Sequence, residues 1–282
     1  MDYATNPSDG VRIGYQVVGS GPPLMLVHGS LLTHVIWRTF GYAKVLRPNR
    51  TLILVDMRGH GRSDKPHEVD AYSMSSMVGD LTAVLDAVGV EKVDYWGYSF
   101  GARAGLTLTA HAPERVNSLI AGGGSHGSQA GAFDRLFFPG CADVLAERGM
   151  DGFITEWNEH RMFPVDDATR AAFAANDTDA MAAYFRASDA EPGLPDDALR
   201  GFDLPCLFYV GSEDRERLAA GRAAAQGRGV RRGAARGEPH VEVEVAHQLV
   251  GHHRDQVGVA REPHVVAAEG RGRHRGATGV VE

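Results

Sequence analysis

The first 211 positions alternate between short unbroken apolar runs and longer stretches whose apolar residues recur every three or four positions. Val11 to Val18 switches between apolar and polar residues in the manner of a strand. It stops at Gly19-Ser20-Gly21-Pro22-Pro23, a turn sequence. Leu24–Val27 and Leu52–Val55 are continuous apolar runs, the pattern of strands covered on both faces, as in a parallel sheet. Between Tyr72 and Val90 the residues Met77, Val78, Leu81, Val84, Leu85 and Val88 have helical spacing, with Ser73 as the N-cap. A strand at Val93–Trp96, a helix over Ala102–Ala110 and a strand over Val116–Ala121 come next. Strand and helix in alternation predict an α/β chain built on a doubly wound, mostly parallel sheet.

From about Gly124 to Arg200 the strand signal disappears. Phe133, Leu136, Phe137, Val144, Leu145, Phe153, Ile154 and Trp157 recur at irregular helical spacing, and a second helical stretch spans Ala168 to Arg186. The strand pattern returns at Leu204–Val210. The organisation expected is therefore a core made of residues 1–123 and 201–250, a helical insertion over 124–200, and a compositionally distinct tail from about 218 to 282.

That tail changes the picture. Residues 215–282 hold 12 Arg, 12 Ala, 11 Val and 11 Gly, with no Phe, Tyr, Trp, Ile, Met, Ser, Asn, Lys or Cys. A stretch without aromatics or isoleucine is poor material for a packed core layer. Two readings stand. One is a divergent native end, in which Val241–Val245 alternates like an edge strand. The other is a shift of reading frame near residue 220, since the enriched residue types are those of GC-rich codons.

Composition sets outer bounds. The 282 residues are 43% hydrophobic and 23% charged, which suits one large globular α/β domain with an insertion. No run approaches the roughly 18 apolar residues of a membrane span. The first residues carry no basic or apolar leader pattern, so the cytoplasm is the expected compartment. Cys141 and Cys206 are far apart in sequence and expected to be small buried hydrophobes rather than a disulfide. The net charge of −7 argues against a nucleic-acid partner, and the arginine-rich tail lacks the interleaved aromatics that would reverse that view. No membrane partner is expected, and the oligomeric state is not legible.

The chemistry concentrates at Gly97-Tyr98-Ser99-Phe100-Gly101, a G-x-S-x-G pentapeptide between a strand and a helix. So sharp a turn leaves no room for a Cβ at either flank and pushes the serine hydroxyl out beside the positive end of the helix. Two upstream strands end in His28-Gly29-Ser30 and in Asp56-Met57-Arg58-Gly59-His60-Gly61-Arg62-Ser63, and a later strand ends in Gly211-Ser212-Glu213-Asp214. With these four motifs in this order, residues 8–216 resemble the α/β-hydrolase family. The resemblance implies Ser99 as nucleophile and Asp214 as triad acid, with Glu213 as fallback. It implies a histidine after the last strand, where His247 is first choice and His240, His252 and His253 are alternatives. The backbone N–H groups of Ser30 and Phe100 are the implied oxyanion donors, and the 124–200 helices the implied cap. His28 is expected to support the oxyanion loop, and Asp56, Arg58, His60 and Ser63 to brace the pocket floor. Trp37, Phe137 and Trp157 are candidates to line an acyl or alcohol pocket, although large aromatics commonly serve as core.

The implied activity is hydrolysis of a small-molecule carboxylic ester or related acyl compound, with no metal or organic cofactor. Alternatives on the same triad are a cofactor-free perhydrolase and a C–C hydrolase. A catalytically impaired, binding-only protein is the further alternative, because no histidine of the tail is securely placed. Gly122–Gly127 lacks the lysine of a phosphate loop and reads as a strand end entering the insertion.

Overall fold

A computed structural model of the chain describes residues 1–195, 197–211 and the backbone of a strand at 241–246, all within a unit spanning Met1–Leu249. In chain order the elements are β1 (Asp2–Thr5), β2 (Arg12–Gly19), β3 (Pro23–Val27), α1 (Ile36–Thr39), α2 (Tyr42–Leu46), β4 (Thr51–Val55), α3 (Met74–Val88), β5 (Val93–Tyr98), α4 (Phe100–His111) and β6 (Val116–Gly122). Then come α5 (Ala132–Leu136), α6 (Cys141–Glu159), α7 (Asp167–Ala174), α8 (Thr178–Ala190), β7 (Cys206–Gly211) and β8 (Val241–Ala246). The described strands form one eight-stranded sheet in the order β1-β2-β4-β3-β5-β6-β7-β8. β1 and β2 are antiparallel to their neighbours, and β3 to β8 run parallel.

Both faces of the central strands are covered, as their unbroken apolar runs require. Successive side chains of a strand point to opposite faces. Leu24, Leu26, Leu52 and Leu54 pack with Trp37 and Ala43 of α1 and α2 on one face. Met25, Val27, Ile53 and Val55 join the larger core under α3, α4 and the helices beyond β6. The Ser73 cap forms as its position predicts, its hydroxyl accepting from the Ser76 N–H, and Gly89 closes α3 in the left-handed region at φ 73°.

The helical stretch expected over Ala168–Arg186 is two helices. The first ends at Ala174, and Asp177 caps the second, accepting from the Ala180 N–H at 2.9 Å. A short polar side chain that satisfies a first-turn N–H begins a helix rather than continuing one. A second departure lies in α6, which bends at Gly149 (φ 69°). Cys141 and Cys206 are both buried, and burial pushes the Cys141 thiol up to about 12. Among the described residues no helix is long and apolar enough to cross a membrane.

Candidate active site

Strand β5 turns into α4 through a single residue. Ser99 has φ 52° and ψ −111°, a left-handed conformation that side chains rarely adopt. Its surroundings fix it there. The Ser99 N–H donates to the Gly122 carbonyl of β6 at 2.7 Å, and the Gly101 N–H donates to the His28 carbonyl at 3.0 Å. The flanking glycines are steric necessities. A Cβ on Gly97 would stand 2.2 Å from the Gly101 carbonyl oxygen, and one on Gly101 would stand 2.3 Å from that of Val27. Phe100 opens α4, so its N–H belongs to the first-turn donors that have no acceptor within the helix.

The loop after β3 presses on this turn. A Cβ on Gly29 would lie 3.2 Å from Ser99 Cβ, and Leu31 is, among the described residues, the second non-glycine residue with positive φ, at 63°. Two buried histidines hold the loop. His28 Nε2 accepts from the Met57 N–H at 3.1 Å, and His60 Nε2 accepts from the Leu31 N–H at 3.1 Å. Each ring therefore carries its proton on Nδ1, which donates to the carbonyl of Gly29 (2.8 Å) and of Arg58 (3.0 Å) respectively. Burial lowers the pKa of His28 and pushes His60 down to about 3. Neutral and fully bonded, these two rings support the loop and have no lone pair left to act as a base.

Asp56 organises the next layer. It is fully buried, and it accepts from the His34 N–H at 2.7 Å, His34 Nδ1 at 2.8 Å and the Arg62 N–H at 3.0 Å. Burial alone would raise its pKa, but the bonds donated by His34 bring it down to about 2. Ser63 Oγ donates to the Asp56 carbonyl at 2.6 Å. Arg58 reaches into α3 instead, pairing with Asp80 at 2.6 Å where both side chains are inaccessible to solvent.

A small cavity of about 30 Å³ opens above Ser99, lined by Ser30, Phe100, Arg103, Ser125, Gln129 and Tyr184 among others. Two of these walls carry no local sequence signal for a site. Arg103 lies one helical turn beyond Ser99 and so on the same face of α4. Its guanidinium is buried, donates to the Gly127 carbonyl at 2.6 Å and lies 4.0 Å from the Glu191 carboxylate, while its Nε finds no acceptor among the described residues. Tyr184 comes from α8, eighty-five positions away in the chain, and its hydroxyl meets Ser30 Oγ at 2.7 Å. Among the described residues no group of three His, Cys, Asp or Glu is placed to hold a metal ion.

The expected site residues thus divide. Ser99, Ser30 and Phe100 come together around the cavity. Trp37 is in the core of the opposite sheet face, edge-on to Tyr42 and Trp96, because α1 packs there. Phe137 and Trp157 belong to an aromatic stack among the α5–α8 helices, 4.9 Å from each other and with Trp157 lying parallel on Phe173. None of these three is among the residues lining the cavity; the ring positions that do line it are Phe100, Phe133 and Tyr184. Asp214, Glu213 and the candidate histidines His240, His247, His252 and His253 lie outside the described residues. β8 is the edge strand read at Val241–Val245. It pairs in parallel with β7, Gly211 opposite Ala246, so both strands end at the sheet edge where β5 ends.

A mostly parallel sheet with a serine on a strained strand-to-helix turn defines the α/β-hydrolase class. Residues 22–141 match the family model described as alpha/beta hydrolase fold, and the chain has that fold. It is 29% identical over 163 residues to a putative 2-succinyl-6-hydroxy-2,4-cyclohexadiene-1-carboxylate synthase of Bacillus subtilis, a match covering 55% of this chain and 58% of that protein. It is 35% identical over 114 residues to the 2-hydroxy-6-oxo-2,4-heptadienoate hydrolase of Pseudomonas putida, covering 39% of this chain and 40% of that one. The chain thus spans between two fifths and three fifths of the length of these curated relatives. A carboxylesterase structure from Nitrososphaera gargenis superposes with a TM-score of 0.70 over 86% of this chain and 89% of that one, at 21% identity, a likeness of fold alone.

Proposed function

We propose that the protein is a serine hydrolase that cleaves a carboxylic ester, or a related acyl compound, through an acyl-enzyme on Ser99. The observation that carries this reading is the strained display of the Ser99 hydroxyl at the head of α4, in a cavity walled by Ser30 and Phe100. Ser99 Oγ attacks the acyl carbon. His247, which follows β8 in the chain, takes the hydroxyl proton and returns it to the leaving group. Asp214, three residues past β7, holds that imidazole in the required tautomer. The N–H groups of Ser30 and Phe100 receive the developing oxyanion, a donor pair of the kind worth about 3–4 kcal/mol per member. Water then cleaves the acyl-enzyme with no metal or organic cofactor. In the same reading the core comprises residues 1–123 and 201–250, the 124–200 helices are a cap, and the enzyme is cytoplasmic with a small-molecule partner.

A C–C hydrolase working through the same residues is the second reading, and the 35% identity to the Pseudomonas putida enzyme favours it. Intact-mass labelling with a fluorophosphonate tests the shared step without knowledge of substrate. The expected result is one adduct on the wild type and none on Ser99→Ala, with Asp214→Asn and His247→Ala both slowed at least 100-fold. A folded wild type that takes no label defeats the acyl-enzyme reading and leaves a binding-only protein.

A further inference from the structure

Tyr184 is buried, its ring fixed against Phe100 at 4.8 Å, His60 at 5.4 Å and Phe133 at 5.5 Å. A phenylalanine would fill that slot as well, so packing does not account for the hydroxyl, which is costly to bury unless bonded. It is bonded, to Ser30 Oγ at 2.7 Å, and either oxygen can be the donor. Proton counting then decides something that the direction of the bond does not. Two hydroxyls bring two protons, and their mutual bond uses one. The second has no acceptor among the described residues, and both side chains line the cavity above Ser99. Burial raises the Tyr184 pKa, so the phenol keeps its proton at neutral pH and the count holds.

From this we infer that the Ser30–Tyr184 pair supplies a third hydrogen-bond donor to the acyl oxygen that turns negative when Ser99 attacks. The inference rests on the acyl-transfer reading above. Ser30 is the link. Its N–H is the proposed oxyanion donor, and its Oγ is three bonds from that nitrogen, so an oxygen held by the one is within reach of the other or of its tyrosine partner. Because Tyr184 comes from α8 and Ser30 from the loop after β3, the donor is held in a fixed position only when the two segments are docked. Helix α8 then contributes to the chemistry as well as to substrate enclosure. No proton is transferred; the pair lowers the energy of a charge that is absent from the ground state.

The count yields an unusual mutational signature. Ser30→Ala leaves Tyr184 with its proton, and Tyr184→Phe leaves Ser30 with its own, so each single variant keeps one donor in a less fixed position. Only Ser30→Ala/Tyr184→Phe has none. With p-nitrophenyl acetate as probe, each single variant is expected to lose less than about tenfold in kcat and the double variant about 100-fold, with KM within about threefold. Affinity for an aryl trifluoromethyl ketone, whose adduct carries the oxyanion, should fall in step with kcat/KM across the series. A folded double variant that retains more than a third of wild-type kcat overturns the inference. So does a series in which KM rises while kcat and ketone affinity hold, which is the behaviour of a packing contact. If the double variant does not fold, Ser30→Cys/Tyr184→Phe keeps the side-chain volume with only a weak thiol donor and is judged by the same thresholds. A wild type that neither hydrolyses the ester nor takes fluorophosphonate on Ser99 overturns the acyl-transfer reading and this one together. An active wild type beside an unimpaired double variant overturns this one alone.

Discussion

Ser99 holds a backbone conformation that glycine would occupy without strain, and the cost belongs to the display of its hydroxyl. Strain of this kind is worth on the order of 1–3 kcal/mol, and a glycine gives back about 0.5–1 kcal/mol through its freer unfolded chain. Ser99→Gly should therefore be about 1 kcal/mol more stable than Ser99→Ala, although neither variant carries a nucleophile. Urea denaturation of the two variants measures the difference, and equal midpoints at equal slopes would remove the strain argument. The pentapeptide was legible in the sequence because its glycines answer to local backbone geometry: each Cβ would collide with a carbonyl within a few residues or in the adjoining strand end. Tyr184 was not legible. Nothing in its neighbours separates it from Tyr72 or Phe185, since its role arises only when α8 docks beside Ser30.

At the scale of elements, the strands were the readable part. β3, β4, β5, β6 and β7 lie within two residues of the apolar runs that announced them, because a strand covered on both faces has little choice of composition. The helices beyond β6 were harder to read, as one apolar stripe looks like another and the break between α7 and α8 rests on two polar side chains, Asn176 at the end of one and Asp177 at the start of the other. Trp37, Phe137 and Trp157 show the same limit. Their size marked them as buried, but the partner they would be buried against depends on how α1 and the later helices pack. Arg58 marks where elements are tied rather than formed. It joins the loop after β4 to α3 through Asp80, which burial holds above the usual carboxylate range in spite of the guanidinium. Arg58→Met strands that carboxylate and should cost about 3–5 kcal/mol, while Arg58→Met/Asp80→Leu should recover most of the loss. Chemical denaturation of the single and double variants checks this, and equal destabilisation of both would show that the tie is made of packing instead.

For the whole molecule the buried histidines set the pH response. His28 and His60 are neutral in the fold and shifted downward, His60 to about 3, whereas an unfolded histidine titrates near about 6.5. As pH falls through about 6.5 the unfolded chain takes up protons that the folded loop refuses, so stability is lost with falling pH across the window from 6.5 to about 3. Asp56 adds to the loss at the lower end. It titrates at about 2 in the fold and near about 3.9 unfolded, so the roughly 2 kcal/mol it contributes is present above pH 4 and disappears towards pH 2. Asp80 has the opposite sign, its raised pKa favouring the fold as the pH drops through its folded value, and it is one group against three. The melting temperature should therefore fall steadily from pH 7 to pH 4, before Asp56 begins to protonate. His60→Asn, which cannot be protonated, should flatten that slope even though losing the bond to the Leu31 N–H lowers stability at pH 8. A wild-type melting temperature that holds level between pH 7 and pH 4 would show that the two rings are not buried neutral. The support they give to the loop beside Ser99 would then need another origin.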